Sequence, residues 1–381
     1  MRIFFAGDFC SKPSTNRISV SEGLRNIINS CDFKIVNFEV PLKPSAGMFP
    51  KRKRERYYQN DDSPAFLKGL GFDLFQISNN HIFDWGEDGF RKTRKALGNG
   101  AFGAGEYEEA LRVKVVEKDG IKIGFLALSF AAYSGVFDDV SNHEGLGCAY
   151  IHDYKVNHVI IESKKIVDYL FVLPHDGIEY IDVPLPETIA KYRDFIDMGA
   201  DGVFGTHPHC PQGWEDYKGK PIFYSLGNFF FNSKDNYDYR ATCPHWYEGL
   251  CVVLTIDNGG LKWEEVNTKN VNNICLELDS SDERATHNKT ICNYLVDKES
   301  YWVYFDKICS DTGYGKLLSI VDATVHHHHL KQSARALARQ ISGLFKKNKS
   351  VDDSSLIRLL SNDANKQLLT WALKRHRVTH K

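Results

Sequence analysis

The sequence predicts an α/β sandwich with a helical C-terminal extension, and three observations carry that prediction. Short β-rich apolar runs alternate with amphipathic stretches over the first two thirds of the chain, several of those runs end in polar residues suited to ligation, and from about Asn270 longer polar and charged segments take over. The predicted strands are Arg2 to Ala6, Phe33 to Phe38, Leu74 to Ser78, Val113 to Glu117, Ile123 to Leu128, Tyr169 to Leu173, Gly202 to Phe204 and Pro221 to Ser225. Between them, Ser21 to Ser30, Ser63 to Leu70, Asp88 to Asn99, Asp153 to Val167 and Pro186 to Met198 read as helices, and the alternation calls for helices layered on sheets. The division expected is a domain over 1–269 and a mainly helical extension over 270–381, with helices across Leu317 to Phe345 and Ser354 to Arg375.

Composition narrows the function classes. With 381 residues, 42% of them hydrophobic, the chain can bury a large core. Its 48 basic and 49 acidic residues nearly cancel, so no global field favours nucleic acid or an anionic membrane. No run approaches the roughly 18 apolar residues of a spanning helix, and Met1-Arg2 leads straight into a short strand rather than a signal-peptide core. Nine cysteines without a Cys-x-x-Cys pair read as reduced thiols, which points to the cytoplasm.

The chemistry sits at the strand ends. Asp8 follows the first strand; an Asp there ordinarily caps a helix or forms a turn, but Glu39 closes the second strand and Asn79-Asn80-His81 closes the third. The strand from Tyr169 leads to His175-Asp176-Gly177-Ile178-Glu179-Tyr180, and that from Gly202 leads to Gly205-Thr206-His207-Pro208-His209. If locally extended, His-Pro-His would send both imidazoles to one side. Carboxylates, an amide and imidazoles converging this way suit zinc, manganese or iron.

These motifs, with Ala6-Gly7-Asp8, Asn37-Phe38-Glu39, Asp84, Gly86 and Tyr224-Ser225-Leu226-Gly227-Asn228-Phe229, resemble the CapA-type poly-gamma-glutamate capsule biosynthesis family, itself similar to calcineurin-like metallophosphatases. The resemblance covers roughly residues 1 to 260 and implies a metallophosphatase-like four-layer α/β/β/α sandwich. It implies a centre of one or two divalent ions (Mn, Zn or Fe) held by Asp8, Glu39, Asn80, His175, His207 and His209, with His81 as catalytic acid. The Asp-x-His of phosphatase relatives reads Asp8-Phe9-Cys10 here, so Cys10 is either a thiolate ligand or a buried bystander. The bridging position holds Glu39 rather than Asp, which leaves a mononuclear centre open.

Arg52, Arg54 and Arg56, in a basic loop between the second and third motifs, together with Glu179, are candidates for contacting an anionic small-molecule or polymer substrate; a solvated charged loop is the alternative. Ser225 to Phe229 reads as a tight turn beneath the site, from which Asn228 could reach a histidine. The His326 to His329 run reads as a surface tract with incidental metal affinity. Three functions follow: phosphoester hydrolysis by metal-activated water in capsule or cell-surface glycan biosynthesis, amide hydrolysis or transfer on a gamma-glutamyl polymer or peptide, and a non-catalytic assembly role with a biosynthetic partner bound through the C-terminal extension.

Overall fold

The computed structural model describes residues 1–44, 57–130, 135, 137, 144–233, 238–241, 243–313, 367 and 370. Each of the eight predicted strands is present, with ends shifted by a few residues. Strands Arg2–Ser11, Phe33–Phe38 and Leu74–Gln76 run parallel in a nine-stranded sheet, and Ile121–Ser129, Tyr169–His175, Gly202–Phe204 and Lys220–Phe223 run parallel in a six-stranded one.

Period-2 alternation puts the sheets face to face. On the opening strand Ile3 and Phe5 enter a core shared with Phe125, Phe171 and Phe204 of the second sheet, whereas Phe4 and Ala6 face a separate core with Leu24, Leu67 and Phe90 from the helices. Phe5 stacks on Phe204 with ring centroids 3.8 Å apart, which closes the gap between the sheets. Helices Glu22–Asn29, Ser63–Gly69 and Gly86–Leu97 cover the outer face of the first sheet, and Val156–Lys164 and Pro186–Asp197 that of the second. The result is the four-layer α/β/β/α sandwich that the resemblance implies. Local chemistry agrees with two of these helices: Ser21 caps Glu22–Asn29, accepting from the Leu24 N–H, and Pro186 opens Pro186–Asp197, where its missing donor costs nothing.

Among the described residues nine strands escaped the sequence reading, five of them short pieces: Ser19–Val20, Ala101–Phe102, Ala104–Gly105, Gly147–Cys148 and Trp214–Tyr217. Asn228–Asn232 begins where only a turn was expected, and Glu248–Asp257, Gly260–Val271 and Cys275–Leu278 extend the first sheet. The Glu248 and Gly260 strands form a hairpin closed by Asn258-Gly259, a two-residue turn that the sequence does signal. The chain divides into a compact unit that runs to Leu295 and a second from Val296, so the Cys275–Leu278 strand, beyond position 270, still belongs to the first. In the second unit, helix Lys298–Ile308 is capped by Asp297. The helix expected over 317–345, Arg52, Arg54, Arg56 and the His326 to His329 run lie outside the described residues, as does the helix expected over 354–375 apart from Gln367 and Thr370, which are helical. No helix among those described is long and apolar enough to cross a membrane.

Gly7 positions the site. Pairing with the second strand passes from Ala6↔Val36 to Asp8↔Asn37, so Gly7 is one extra residue in a bulge that re-aims Asp8. A Cβ on Gly7 would lie 1.9 Å from the Gly227 carbonyl oxygen, the same oxygen that accepts the Asp8 N–H at 2.9 Å. Gly7→Ala is therefore expected to lower the unfolding free energy by at least about 1–3 kcal/mol, because backbone rather than a flexible side chain must move. Gly69→Ala, whose Cβ meets nothing within 4 Å, is expected to shift stability by less than about 1 kcal/mol. Urea denaturation of both variants checks this, and equal effects would contradict it.

Candidate metal centre

The bulge brings Asp8 level with Asn37 on one side and Asn228 on the other. Asn37 donates to Asp8 Oδ1 at 2.7 Å and its own amide oxygen accepts from Asn79 Nδ2 at 3.1 Å. Asn79 also donates to the Phe38 carbonyl, while its oxygen accepts the His81 and Ile82 backbone N–H groups. Asn79 is thus the turn former, and Asn80, held beside it, turns its side chain inward: Asn80 Oδ1 lies 3.0 Å from His175 Nε2. His81 Nδ1 pairs with Asp84 Oδ2 at 2.9 Å, and because a carboxylate only accepts, this bond fixes the imidazole orientation.

The second sheet supplies the imidazoles. His175 ends its strand fully buried, with Nδ1 3.1 Å from Asn37 Nδ2 and 3.0 Å from Thr206 Oγ1. The His-Pro-His segment does not meet the condition of being extended: His207 has φ 104° and His209 φ 59°, both in the left-handed region. Such conformations cost of order 1–3 kcal/mol each and persist where the surroundings dictate them. Here the His207 N–H is held by Asp8 Oδ2 at 3.1 Å, the Pro208 carbonyl accepts the Tyr180 N–H at 2.8 Å, and His209 Nδ1 meets Asn228 Oδ1 at 2.9 Å. Asn228 is anchored in turn by the His209 and Trp246 carbonyls, and Trp246 and Phe231 wall the His209 ring.

Glu39 lies at the centre. It is completely buried and neither carboxylate oxygen has a hydrogen-bond partner. Its Oε1 is 3.8 Å from His175 Nε2 and 3.6 Å from His209 Nε2, while Asp8 Oδ2 is 3.5 Å from His209 Nδ1. Donors on one ion with bonds of about 2.0–2.2 Å sit roughly 3.0–3.6 Å apart, close to these separations. Glu39 belongs to two groups compatible with a metal, one with His175 and His207 and one with Asp8 and His209, so a single carboxylate faces two ligand sets.

The electrostatics of the metal-free site call for a cation. Burial pushes the Asp8 carboxyl up to about 7, against the lowering pull of Asn37 and the His207 N–H. Burial, then the Asp8 charge, pushes Glu39 well above the usual carboxylate range. Burial, with the neighbouring imidazoles, holds His175 well below 6.5, and burial takes His209 down to about 3. Carboxylates forced toward protonation beside imidazoles forced toward neutrality are the donor set a divalent ion matches, and so the residues present fit the group.

Glu179 lies with His207 and His209, its carboxylate within 4.8 Å of their ring nitrogens, so the structure brings it to the imidazoles. Cys10 packs in an apolar cluster with Val40, Cys210 and Trp246, and burial and then Glu39 push its thiol well above its ordinary value, which withholds the thiolate. Asn228 reaches a histidine, His209, as the sequence allowed, whereas sequence reasoning named Asn37 and Asp84 without placing them in the network and passed over Thr206. The signal for Asn37 was parity, since it lies two residues before Glu39 on a strand and shares its side.

Residues 2–233 match the family model described as bacterial capsule synthesis protein PGA_cap. The chain belongs to this family. It is 30% identical over 243 residues to the PGA biosynthesis protein CapA of Bacillus subtilis, covering 60% of this chain and 62% of that protein. It is 29% identical over 209 residues to a probable polyglutamine synthesis accessory protein of Mycobacterium tuberculosis, covering 52% of this chain and 55% of that one. The match thus spans little more than half the length of these curated relatives. Among solved structures it is similar to a phosphatase of Mycoplasma pneumoniae, at 15% identity and a TM-score of 0.38, over 70% of this chain and 92% of that one.

The raised carboxyl groups give a signed expectation. A carboxyl whose folded pKa lies above its unfolded value stabilises at low pH and loses that contribution as pH rises through the folded pKa. With Asp8 near 7 and Glu39 also raised, and with the lowered His175 and His209 acting in the opposite sense below their ordinary value, the metal-stripped protein is expected to lose melting temperature from about pH 6.5 to pH 8. Glu39→Gln removes one of these burdens, so it should melt higher than wild type at pH 8 without metal yet gain nothing from added Mn²⁺. A Glu39→Gln protein stabilised by Mn²⁺ as much as wild type would contradict this. Thermal melts with and without Mn²⁺ decide it.

Proposed function

We propose that this capsule-synthesis family member is a metal-dependent hydrolase that cleaves a phosphoester in capsule or cell-surface glycan biosynthesis. The observation that supports it most is the buried Glu39, whose carboxylate oxygens lack hydrogen-bond partners and which belongs to two ligand sets, one with His175 and His207 and one with Asp8 and His209. In this reading Asp8, Glu39, Asn80, His175, His207 and His209 hold one or two divalent ions, with Glu179 beside two of the imidazoles. Such ions, when bound, polarise a phosphoryl oxygen and acidify water. Asn37 and Asn228 hold Asp8 and His209 in place, and Thr206 meets Nδ1 of His175, which leaves its Nε2 and the Asn80 oxygen, 3.0 Å apart, for the ion.

His81 carries the proton. Its Nδ1–H points to Asp84, which leaves Nε2 to deliver a proton to the leaving oxygen. Its position directly after Asn80, whose oxygen lies 3.0 Å from His175 Nε2, supports that role. The nine free cysteines support a reducing, cytoplasmic setting. Arg52, Arg54 and Arg56 would grip an anionic substrate, and the C-terminal extension would take a biosynthetic partner. The relative's printed name, a synthesis accessory protein, favours a second reading in which the same centre serves assembly without turnover.

Assays of Mn²⁺-loaded protein on bis(p-nitrophenyl) phosphate and on γ-glutamyl-p-nitroanilide separate the readings. Phosphoester turnover is expected, with His81→Ala lowering kcat by about 10²–10⁴-fold at unchanged metal content. Turnover of the anilide alone would move the chemistry to amides. Turnover of neither, by metal-loaded protein, would favour the accessory role.

A further inference from the structure

The segment that follows His175 ends on an aromatic side chain that takes no part in the ligand set. Tyr180 is 38% exposed although Ile178 and Ile181 beside it are buried, so the chain turns this one ring outward. Its backbone sits at φ 70°, in the left-handed region, where a bulky side chain is an outlier. Glycine or asparagine would suit that turn better, so local backbone preference does not account for a tyrosine. The bond from its N–H to the Pro208 carbonyl, at 2.8 Å, ties the strained turn to the loop that carries His207 and His209. Strained residues held this way concentrate at functional sites.

The ring has a fixed seat beside the centre. Its centroid is 6.2 Å from that of His209 with the planes 25° apart, and 5.8 Å from that of Trp246, which stacks in turn on the buried Tyr239 at 4.2 Å. Tyr180 is thus the exposed end of a braced aromatic row, and little ordering remains to be done when a ligand lies on it. Glu179, the residue before it, has its carboxylate within 4.8 Å of ring nitrogens of His207 and His209, so a hydrogen-bond acceptor stands between the aromatic face and the centre. A sugar ring has the matching chemistry: its C–H face lies against the negative face of an aromatic ring, and its hydroxyls donate to a carboxylate. A further anionic group in that place would be repelled by Glu179. Given the phosphoester reading, on which this rests, we propose that Tyr180 is a specificity residue, the platform for a sugar ring next to the phosphoryl group, so that the substrate is a sugar phosphoester.

Isothermal titration of Mn²⁺-loaded full-length protein with two probes that resist hydrolysis tests this: methylphosphonate, which offers the phosphoryl group alone, and glucosyl methylphosphonate, which adds the ring. Wild type should bind the glucosyl probe about 3–10-fold more tightly. Tyr180→Asn, which suits the left-handed backbone, should bring that ratio to about one, whereas Tyr180→Phe, which keeps the flat face, should preserve it. Circular dichroism checks folding, and if Tyr180→Asn fails to fold, Tyr180→Leu, which still covers His209 but has no flat face, decides in the same way. Equal binding of the two probes by wild type would overturn the proposal and leave the phosphoester reading standing. A ratio that survives in Tyr180→Asn or Tyr180→Leu, even with both probes weakened, would overturn it too, since the ring would then only support His209. Binding of neither probe by metal-loaded wild type would count against the phosphoester reading itself, and the proposal would fall with it.

Discussion

The constraint on which the site depends is the burial of two carboxylates, Asp8 and Glu39, in the same dry space. Removing a carboxylate from water costs several kcal/mol unless charge or hydrogen bonds compensate. Asp8 is compensated in part by Asn37 and the His207 N–H, whereas Glu39 receives no hydrogen bond at either oxygen. Burial pushes the His175 and His209 imidazoles toward neutrality, which makes them poor counter-charges and good ligands, so a cation is the group these carboxylates suit.

Much of the fold around these carboxylates serves to keep the ligands from relaxing. The Gly7 bulge lets the opening strand approach Gly227 closely enough to set Asp8 between Asn37 and Asn228. The left-handed backbone at His207 and His209 is held by hydrogen bonds from Asp8, Tyr180 and Asn228. Strain and desolvation, costly for stability, are concentrated where a metal-binding function would use them.

A hydrophobic run followed by a ligating residue is a local pattern, so the sequence could mark Glu39 and His175 at their strand ends and Asn80, His207 and His209 in the loops just beyond, whereas Asp8 sits within Arg2–Ser11, past the bulge. What it did not carry was conformation set by distant partners. Spacing alone left an extended His207 to His209 segment open, but the Asp8 carboxylate, 199 residues away, accepts the N–H that a left-handed turn presents. Asn228 looked like a turn residue because the strand it begins is paired only with the opening strand, across more than 200 positions.

The account stands on metal at Glu39, and anomalous X-ray scattering at the manganese edge from crystals of Mn²⁺-loaded protein tests that directly. The account predicts one or two anomalous peaks within about 2.5 Å of Glu39, flanked by His175 and His209. Crystals that carry Mn²⁺ elsewhere but show no peak beside Glu39 would contradict it.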